Sequence, residues 1–217
     1  MGPAQRRVAF HTFGCKLNQF ETEALAASFR TAGFLVVRAD EEADVYLLNT
    51  CTVTSRADHK ARSLIRGLAR AYPRAPLLVT GCSAQTEAEA LSELAPSVVV
   101  IPQSEKSRLL MLPGTLAETL DQGDDPAARI RESLKAGLPG DPFAVAVTDF
   151  SFHTRAFLKI QDGCDCNCAY CRAKRLYCGK QLYGCLFSSV KQCRNESYKH
   201  QSYILERNWN GLRSWCY

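Results

Sequence analysis

Five short apolar runs lie within the first 101 residues of this 217-residue chain, and each predicts a β-strand. The run Val45–Asn49 is apolar almost throughout, which is typical of a strand covered on both faces. In chain order, the predicted strands are Val8–Thr12, Phe34–Val37, Val45–Asn49, Leu77–Thr80 and Val98–Ile101.

The segment after the first run has helical periodicity. Asn18 is its predicted N-cap, with Glu21 as the reciprocal capping partner. The helix is predicted to end at Ala32, because Gly33 follows. The face that the period would bury carries Leu25, Ser28, Phe29 and Ala32.

Two further helices are predicted between the later strands. The first covers Ser55–Tyr72, with Asp58 as the capping partner of Ser55 and Pro73 after its end. The second covers Thr86–Leu94. Strands that alternate with helices of this length predict an α/β fold with a mostly parallel sheet wrapped on both faces. The predicted apolar face of the longer helix carries Ala57, Ala61, Leu64, Ile65, Leu68 and Tyr72.

The pattern loosens after Ser104, where short helices are predicted over Lys106–Met111 and Ala127–Leu134. Turn-rich stretches around Pro126 and Pro142 predict a first domain over residues 1–120 and a linker over 121–142. Two more strands are predicted, Phe143–Val147 and Ala156–Ile160. The second of them runs into a cysteine-rich loop, as the first strand of a barrel does when its carboxyl end opens into a ligand loop.

The cysteine content of the chain favours metal or redox chemistry. The chain holds eleven cysteines, and no stretch has the roughly 18 consecutive apolar residues that cross a bilayer. The first residues lack the apolar region of a signal peptide, so a cytoplasmic protein with no membrane association is expected. An odd cysteine number without an export signal argues against a disulfide framework.

Three cysteines follow three of the predicted strands: Cys15 the first, Cys51 the third and Cys82 the fourth. Because the carboxyl ends of parallel strands form one crevice, these thiols are expected to converge and to hold an iron–sulfur cluster. The neighbouring Gly14 and Gly81 would let backbone approach a bulky group closely.

Two other interpretations of the same three cysteines stay open at this point. Zinc is one, and it would need a fourth protein ligand, for which His11 and His59 are the nearby candidates. The other is that each cysteine is a small buried hydrophobe, since free cysteine is among the most buried residue types.

A second cysteine group lies in the loop after Ile160. Its spacing, Cys164-x3-Cys168-x2-Cys171, places three thiolates around one cluster and leaves one iron of a four-iron cluster open to a small molecule. Cys166 lies two residues from both Cys164 and Cys168. It is too crowded to be a fourth ligand and is predicted to be a bystander.

Four motifs follow one another along the chain: Gly14-Cys-Lys-Leu-Asn-Gln-Phe-Glu-Thr-Glu23, Asn49-Thr-Cys51-Thr-Val53, Thr80-Gly-Cys82 and Lys159-Ile-Gln-Asp-Gly-Cys164 through Cys171. Together they resemble the radical S-adenosylmethionine methylthiotransferase family. Within that family, the form Gly14-Cys-Lys-Leu-Asn-Gln-Phe-Glu21 resembles the MtaB-type tRNA enzymes.

The resemblance implies a fold and a cofactor set. The fold is a Rossmann/flavodoxin-like domain followed by the first strand and cluster loop of a radical-SAM barrel, over residues 143–171. The cofactors are two [4Fe–4S] clusters and S-adenosyl-L-methionine. One cluster, on Cys164, Cys168 and Cys171, would bind S-adenosylmethionine at its open iron, with Tyr170 packing beside that cofactor. The other, on Cys15, Cys51 and Cys82, would deliver the methylated sulfur.

The resemblance also implies a reaction and its partners. The reaction is methylthiolation of C2 of N6-threonylcarbamoyladenosine at position 37 of tRNA, next to the anticodon. The partners are the anticodon loop of tRNA and an electron donor such as a flavodoxin or ferredoxin. Other branches of the family modify isopentenyladenosine in tRNA or a ribosomal protein. A non-catalytic iron–sulfur or RNA-binding module is the alternative from another class.

Two basic features suggest contact with an anion. Arg62, Arg66 and Arg70 form a stripe opposite the apolar face of the second predicted helix, where either tRNA or solvent would lie. Residues 172–217 carry nine Lys and Arg against two acidic residues, whereas the whole chain has a net charge of +5. That tail departs from the family pattern after Cys171. It is predicted to be a divergent, mostly disordered end, and the chain to be truncated and inactive alone.

Overall fold

The computed structural model describes residues 5–52, 54–121, 125–135, 151–152, 157–159, 161–162, 182–183, 204–208 and 211–215. The chain forms two compact units, residues 1–149 and residues 150–217. In the described part of the chain, no helix is long and apolar enough to cross a membrane.

The first unit is built on a five-stranded parallel sheet. Its strands are β1 (Arg7–Thr12), β2 (Leu35–Val37), β3 (Val45–Thr50), β4 (Leu77–Gly81) and β5 (Val98–Val100). They lie in the order β2-β1-β3-β4-β5, and all four neighbouring pairs are parallel. This is the flavodoxin-like order, which confirms the predicted α/β fold class.

Helices cover both faces of this sheet. They are α1 (Lys16–Thr31), α2 (Ser55–Ala71), α3 (Cys82–Thr86), α4 (Ala88–Ser92), a 3₁₀ helix (Gln103–Leu110), α5 (Leu112–Asp121) and α6 (Pro126–Lys135). All six residues of β3, the central strand, are buried, because helices pack on it from both sides.

Two apolar cores result, one on each face of the sheet. Under α1 the Phe29 ring meets Phe10 and Phe34 edge-on, with ring centroids 5.6 and 5.2 Å apart. Under α2 the Tyr46 ring stacks on Tyr72 with centroids 5.2 Å apart, beside the fully buried Ile65. Both cores hold the parallel strands in register, so the carboxyl ends of β1, β3 and β4 lie at one edge of the sheet.

Local chemistry shifts several helix starts from their predicted positions. The helix α1 begins at Lys16 with Cys15 as its N-cap residue, so Asn18 is not the N-cap. The helix α2 is capped by Thr54, whose hydroxyl accepts from the Ala57 amide at 3.2 Å. The predicted helix Thr86–Leu94 is two short helices, because Glu87 between them has φ −141° and ψ 38°.

The region after β5 is more helical than its sequence pattern predicts. The predicted short helix Lys106–Met111 is the second half of the 3₁₀ helix, and α5 follows it directly. The predicted helix Ala127–Leu134 is confirmed as α6. The buried side chains of Leu109, Leu116 and Ile130 close the core under α1 from this region.

The second unit contains short antiparallel strands. Strands β9 (Ile204–Asn208) and β10 (Gly211–Trp215) form a hairpin, and β9 also pairs with β6 (Phe157–Lys159). Strand β7 (Gln161–Asp162) pairs with β8 (Leu182–Tyr183). The strand β6 falls within the predicted strand Ala156–Ile160, whereas the predicted strand Phe143–Val147 lies outside the described residues.

Candidate metal centre

The three strand-end cysteines lie together at one edge of the sheet. Cys15 joins β1 to α1, Cys51 follows β3, and Cys82 is the first residue of α3 after β4. The crossovers from β1 and β3 leave in opposite directions, so this edge is the topological switch point at which flavodoxin-like folds place their ligands. None of the three forms a disulfide with another described residue, and Cys51 and Cys82 are 3% and 8% exposed.

The three thiols interact with one another. A thiol–thiol hydrogen bond with Cys51, together with burial, raises the pKa of Cys82 far above its usual range. Burial also raises the pKa of Cys15, the backbone amide of Asn18 lowers it, and the charge of Cys51 raises it again. Cys51 thus opposes ionisation of Cys15 and of Cys82, and a bound metal would offset that repulsion because it deprotonates a coordinating thiol outright.

Two glycines make room for this arrangement. A Cβ on Gly14 would lie 2.5 Å from both Cβ and Sγ of Cys51. A Cβ on Gly81 would overlap the carbonyl oxygen of Thr50, and the φ of Gly81 is +94°. Only glycine fits either position, so the backbone before Cys15 and before Cys82 can approach the Cys51 segment closely.

Two polar side chains connect the three cysteine segments. The Asn18 amide donates to the carbonyl oxygen of Phe13 at 2.8 Å and to that of Thr50 at 2.9 Å. The Thr50 hydroxyl donates to the carbonyl oxygen of Thr80 at 2.6 Å. The residues just before Cys51 are thus fixed both to the loop before Cys15 and to the strand that precedes Cys82.

A buried ion pair lies beneath these connections. The Lys106 Nζ atom is 2.5 Å from Oε2 of Glu21 and donates to Oδ1 of Asn49 at 3.0 Å. The Glu21 and Lys106 side chains are each only 2% exposed. The Asn49 amide donates to the carbonyl oxygen of Asn18 at 3.0 Å, so the pair supports the end of β3 through Asn49 and the start of α1 through Glu21.

Sequence patterns do not reveal this ion pair. They predict that Glu21 caps α1 and that Lys106 begins a short helix, whereas both side chains are buried in the protein. The available signal is weak: Glu21 lies within the first cysteine motif, and Lys106 stands in the polar segment after β5.

The donor set fits an iron–sulfur cluster or another thiophilic metal. Three thiols converge, and soft sulfur ligands select zinc, copper(I) or iron–sulfur clusters. Among the described residues, no three His, Cys, Asp or Glu side chains stand in the arrangement that holds a single metal ion. A cluster on these cysteines would replace the hydrogen bond between Cys51 and Cys82.

The two histidines considered as zinc ligands lie elsewhere. His59 is exposed on α2. His11 stacks on Tyr46 with centroids 6.4 Å apart, and its buried Nε2 atom has no hydrogen-bond partner among the described residues. Within the described ranges, neither histidine joins the cysteines in a ligand group.

Other predicted site residues are outside the described residues. Cys164, Cys168 and Cys171, the three predicted ligands of the second cluster, are among them, as are Cys166 and Tyr170. Their roles stay predictions.

The predicted basic stripe on α2 needs one correction. Arg62 forms ion pairs with Asp58, at 3.2 Å, and with Glu87, and its side chain is only 18% exposed. It therefore joins α2 to the segment between α3 and α4 and is not part of an open stripe. Arg66 and Arg70 are exposed, as predicted.

A cleft of about 470 Å³ lies at the opposite edge of the sheet. Arg6, Asp44 and Ala75, which line it, precede the strands β1, β3 and β4. It is therefore separated from the cysteines by the length of the strands and takes no part in the candidate metal centre.

The fold and the site together define a class of protein: a flavodoxin-like domain with a three-cysteine centre at its switch point. Residues 7–102, which include all three cysteines, match the family described as Uncharacterized protein family UPF0004. This part of the chain belongs to that family.

Curated relatives identify the wider family as the methylthiotransferases, to which the chain is related over about three quarters of its length. One relative is the threonylcarbamoyladenosine tRNA methylthiotransferase MtaB of Treponema pallidum, 36% identical over 77% of this chain and 46% of the relative. The protein of the same name from Bacillus subtilis is 37% identical over 76% of this chain and 35% of its own length. The tRNA-2-methylthio-N(6)-dimethylallyladenosine synthase of Desulfosudis oleivorans is 35% identical, with the same two coverages. The chain spans less than half the length of each of these relatives.

Proposed function

We propose that this chain belongs to the MtaB-type tRNA methylthiotransferase lineage, whose reaction is methylthiolation of C2 of N6-threonylcarbamoyladenosine at position 37 of tRNA, in the cytoplasm, and that the chain is inactive alone. The observation that carries the proposal is the meeting of Cys15, Cys51 and Cys82 at the switch point of the sheet. The names of the MtaB relatives support the reaction and the tRNA substrate.

In this proposal the two cysteine groups have different tasks. Cys15, Cys51 and Cys82 would hold one [4Fe–4S] cluster, as the source of sulfur. Cys164, Cys168 and Cys171 would hold a second [4Fe–4S] cluster for S-adenosyl-L-methionine, and Tyr170 would pack beside that cofactor. The clusters and S-adenosylmethionine supply the radical and sulfur-transfer chemistry when bound, and a flavodoxin or ferredoxin supplies electrons.

The described residues would contribute position and exclusion of water. Burial of Cys51 and Cys82 keeps solvent from the sulfur ligands. The hydrogen bonds of Asn18 and Thr50 fix the three ligand segments to one another. Such supporting contacts set the orientation of ligands in metal sites generally.

Anaerobic reconstitution tests the two cluster sites separately. We expect the chain to bind about eight irons as two four-iron clusters, and either triple cysteine-to-alanine variant to lose about half of them. The first variant changes Cys15, Cys51 and Cys82, and the second changes Cys164, Cys168 and Cys171. Full iron retention in the first variant would refute the proposed role of the sheet-edge cysteines.

An activity assay tests the predicted inactivity. The chain alone is expected to release no 5′-deoxyadenosine and to add no methylthio group to threonylcarbamoyladenosine, by mass spectrometry of digested tRNA, and either product would refute that prediction. Methylthiolation of isopentenyladenosine would favour the specificity named for the Desulfosudis oleivorans relative. Cluster binding without either product is shared by the inactive chain and by a non-catalytic iron–sulfur module.

A further inference from the structure

The exposed face of α2 carries four cations and no acid. Arg56, Lys60, Arg66 and Arg70 are all exposed. At 100° per residue they fall within an arc of about 120°, centred opposite the side that buries Ala61, Ile65 and Leu68. The face comprises these four cations with His59 and Ser63 between them.

These four cations are not neutralised by the described part of the protein. None of them forms an ion pair with a described carboxylate, and the Arg70 guanidinium donates only to the carbonyl oxygen of Arg66, at 3.2 Å. The one acid of α2, Asp58, lies outside the arc of the face and pairs with Arg62.

The arrangement opposes the stability of the helix itself. Arg56 and Lys60 are four residues apart, as are Arg66 and Arg70, and like charges at this spacing destabilise a helix. Arg56 also stands in the first turn, where the helix dipole disfavours a cation. Arg70, in the last turn, is favoured by the dipole, but the like-charge pairs remain, and a bound anion would relieve that repulsion.

The spacing and position of the face favour a polyanion over a small ligand. At 1.5 Å per residue the cations extend about 21 Å along the helix. The helix starts four residues after Cys51, so its Arg56 end lies at the edge of the sheet that holds the cysteines. A strand of phosphates bound along α2 would therefore lead to the candidate metal centre.

We propose that the face formed by Arg56, Lys60, Arg66 and Arg70 binds the phosphate backbone of RNA and guides it toward the cysteine site. That this RNA is the anticodon arm of tRNA rests on the proposed function. An anionic membrane is a poorer partner, because the apolar side of α2 is buried in the core and cannot insert into lipid.

Salt dependence of RNA affinity tests the proposal with the full chain. The probe is a fluorescein-labelled anticodon stem-loop RNA, followed by anisotropy from 50 to 200 mM KCl. Changing all four cations to glutamine should reduce the slope of log K against log salt by roughly 3, because each phosphate contact contributes about 0.7 to 0.9. The charge-conserving variant Arg56→Lys/Arg66→Lys/Arg70→Lys should keep the wild-type slope.

A matched control separates this face from general charge loss. Arg38 and Lys135 are 79% and 74% exposed, and each pairs with an acid. The double variant Arg38→Gln/Lys135→Gln should leave the slope within about 0.5, whereas Arg66→Gln/Arg70→Gln, with the same charge change, should lower it by roughly 1.5. Equal effects of the two double variants would overturn the proposal.

Two further measurements complete the test. If the four-glutamine variant keeps the RNA slope but loses binding to vesicles containing phosphatidylserine, the face is a membrane contact and the proposal is wrong. The variant Cys15→Ala/Cys51→Ala/Cys82→Ala should keep the salt dependence of RNA binding while it loses about half of the bound iron. Failure of the cluster assignment and failure of the RNA surface are thus distinguishable.

Discussion

Breaking the buried ion pair between Glu21 and Lys106 should destabilise the first unit more than any exposed change. Lys106→Met leaves the Glu21 carboxylate buried without its cation, although the Gln103 amide still donates to it at 3.3 Å. An uncompensated buried charge costs about 3–5 kcal/mol. At roughly 2–4 °C per kcal/mol for a domain of this size, the melting temperature should fall by about 6–20 °C.

The double variant Glu21→Gln/Lys106→Met should be more stable than either single variant. It removes both charges, and the new amide oxygen at position 21 can still accept from Gln103. The remaining cost, about 1–3 kcal/mol, comes from the side-chain Oδ1 atom of Asn49, which loses its Lys106 donor. A double-mutant cycle of these variants should therefore show a strongly favourable coupling between the Glu21 and Lys106 side chains.

Urea unfolding of the metal-free chain, followed by far-UV circular dichroism, measures these costs. Every α-helix of the described residues lies between residues 16 and 135, so the signal at 222 nm reports on the first unit. The exposed pair of Lys135 and Glu132, 2.9 Å apart, is the control, and its removal should cost less than about 1 kcal/mol. Single variants at Glu21 and Lys106 as mild as that control, or a double variant as costly as their sum, would refute the reasoning.

Three other changes have defined outcomes. Gly81→Ala should destabilise the chain by more than about 2 kcal/mol, because the new Cβ would overlap backbone atoms and the φ of this residue is positive. Gly67→Ala, in open space within α2, should stabilise the chain by about 0.5–1 kcal/mol. Equal urea midpoints of the two variants would contradict this. Cys166→Ala should keep the iron and the optical band that Cys168→Ala loses, and an equal loss would make Cys166 a ligand. Burial lowers the pKa of His11, so the folded state resists protonation of this side chain and stability should fall as the pH drops below about 6.5. His11→Asn should flatten that dependence between pH 7 and 5. An unchanged pH profile would rule His11 out as its source.

The architecture of the first unit follows from short-range patterns. Alternating strands and helices predict the parallel sheet, and the position of each cysteine after a strand predicts that Cys15, Cys51 and Cys82 meet. Both predictions rest on topology, because parallel strands bring their carboxyl ends to one edge whatever the side chains do.

The supporting contacts were not predictable in the same way. Asn18 fits a helix cap by its residue type, yet its amide bridges the Phe13 and Thr50 carbonyl groups. Arg62 has the helical spacing of a basic stripe, but Glu87, which neutralises it, comes from another segment. Thr50 and Glu87 are distant in sequence from the side chains they bind, and local periodicity carries no information about them.

The dependence of the cysteine site on Lys106 also bears on the order in which the protein is made. All three sheet-edge cysteines leave the ribosome before Lys106 does, so Glu21 and Asn49 lack their Lys106 partner while the chain is still short. Leu134, the last described apolar side chain that packs against the core under α1, comes later still. Iron loaded during synthesis would meet unsupported thiols, and delivery to this centre is therefore expected to follow completion of the first unit.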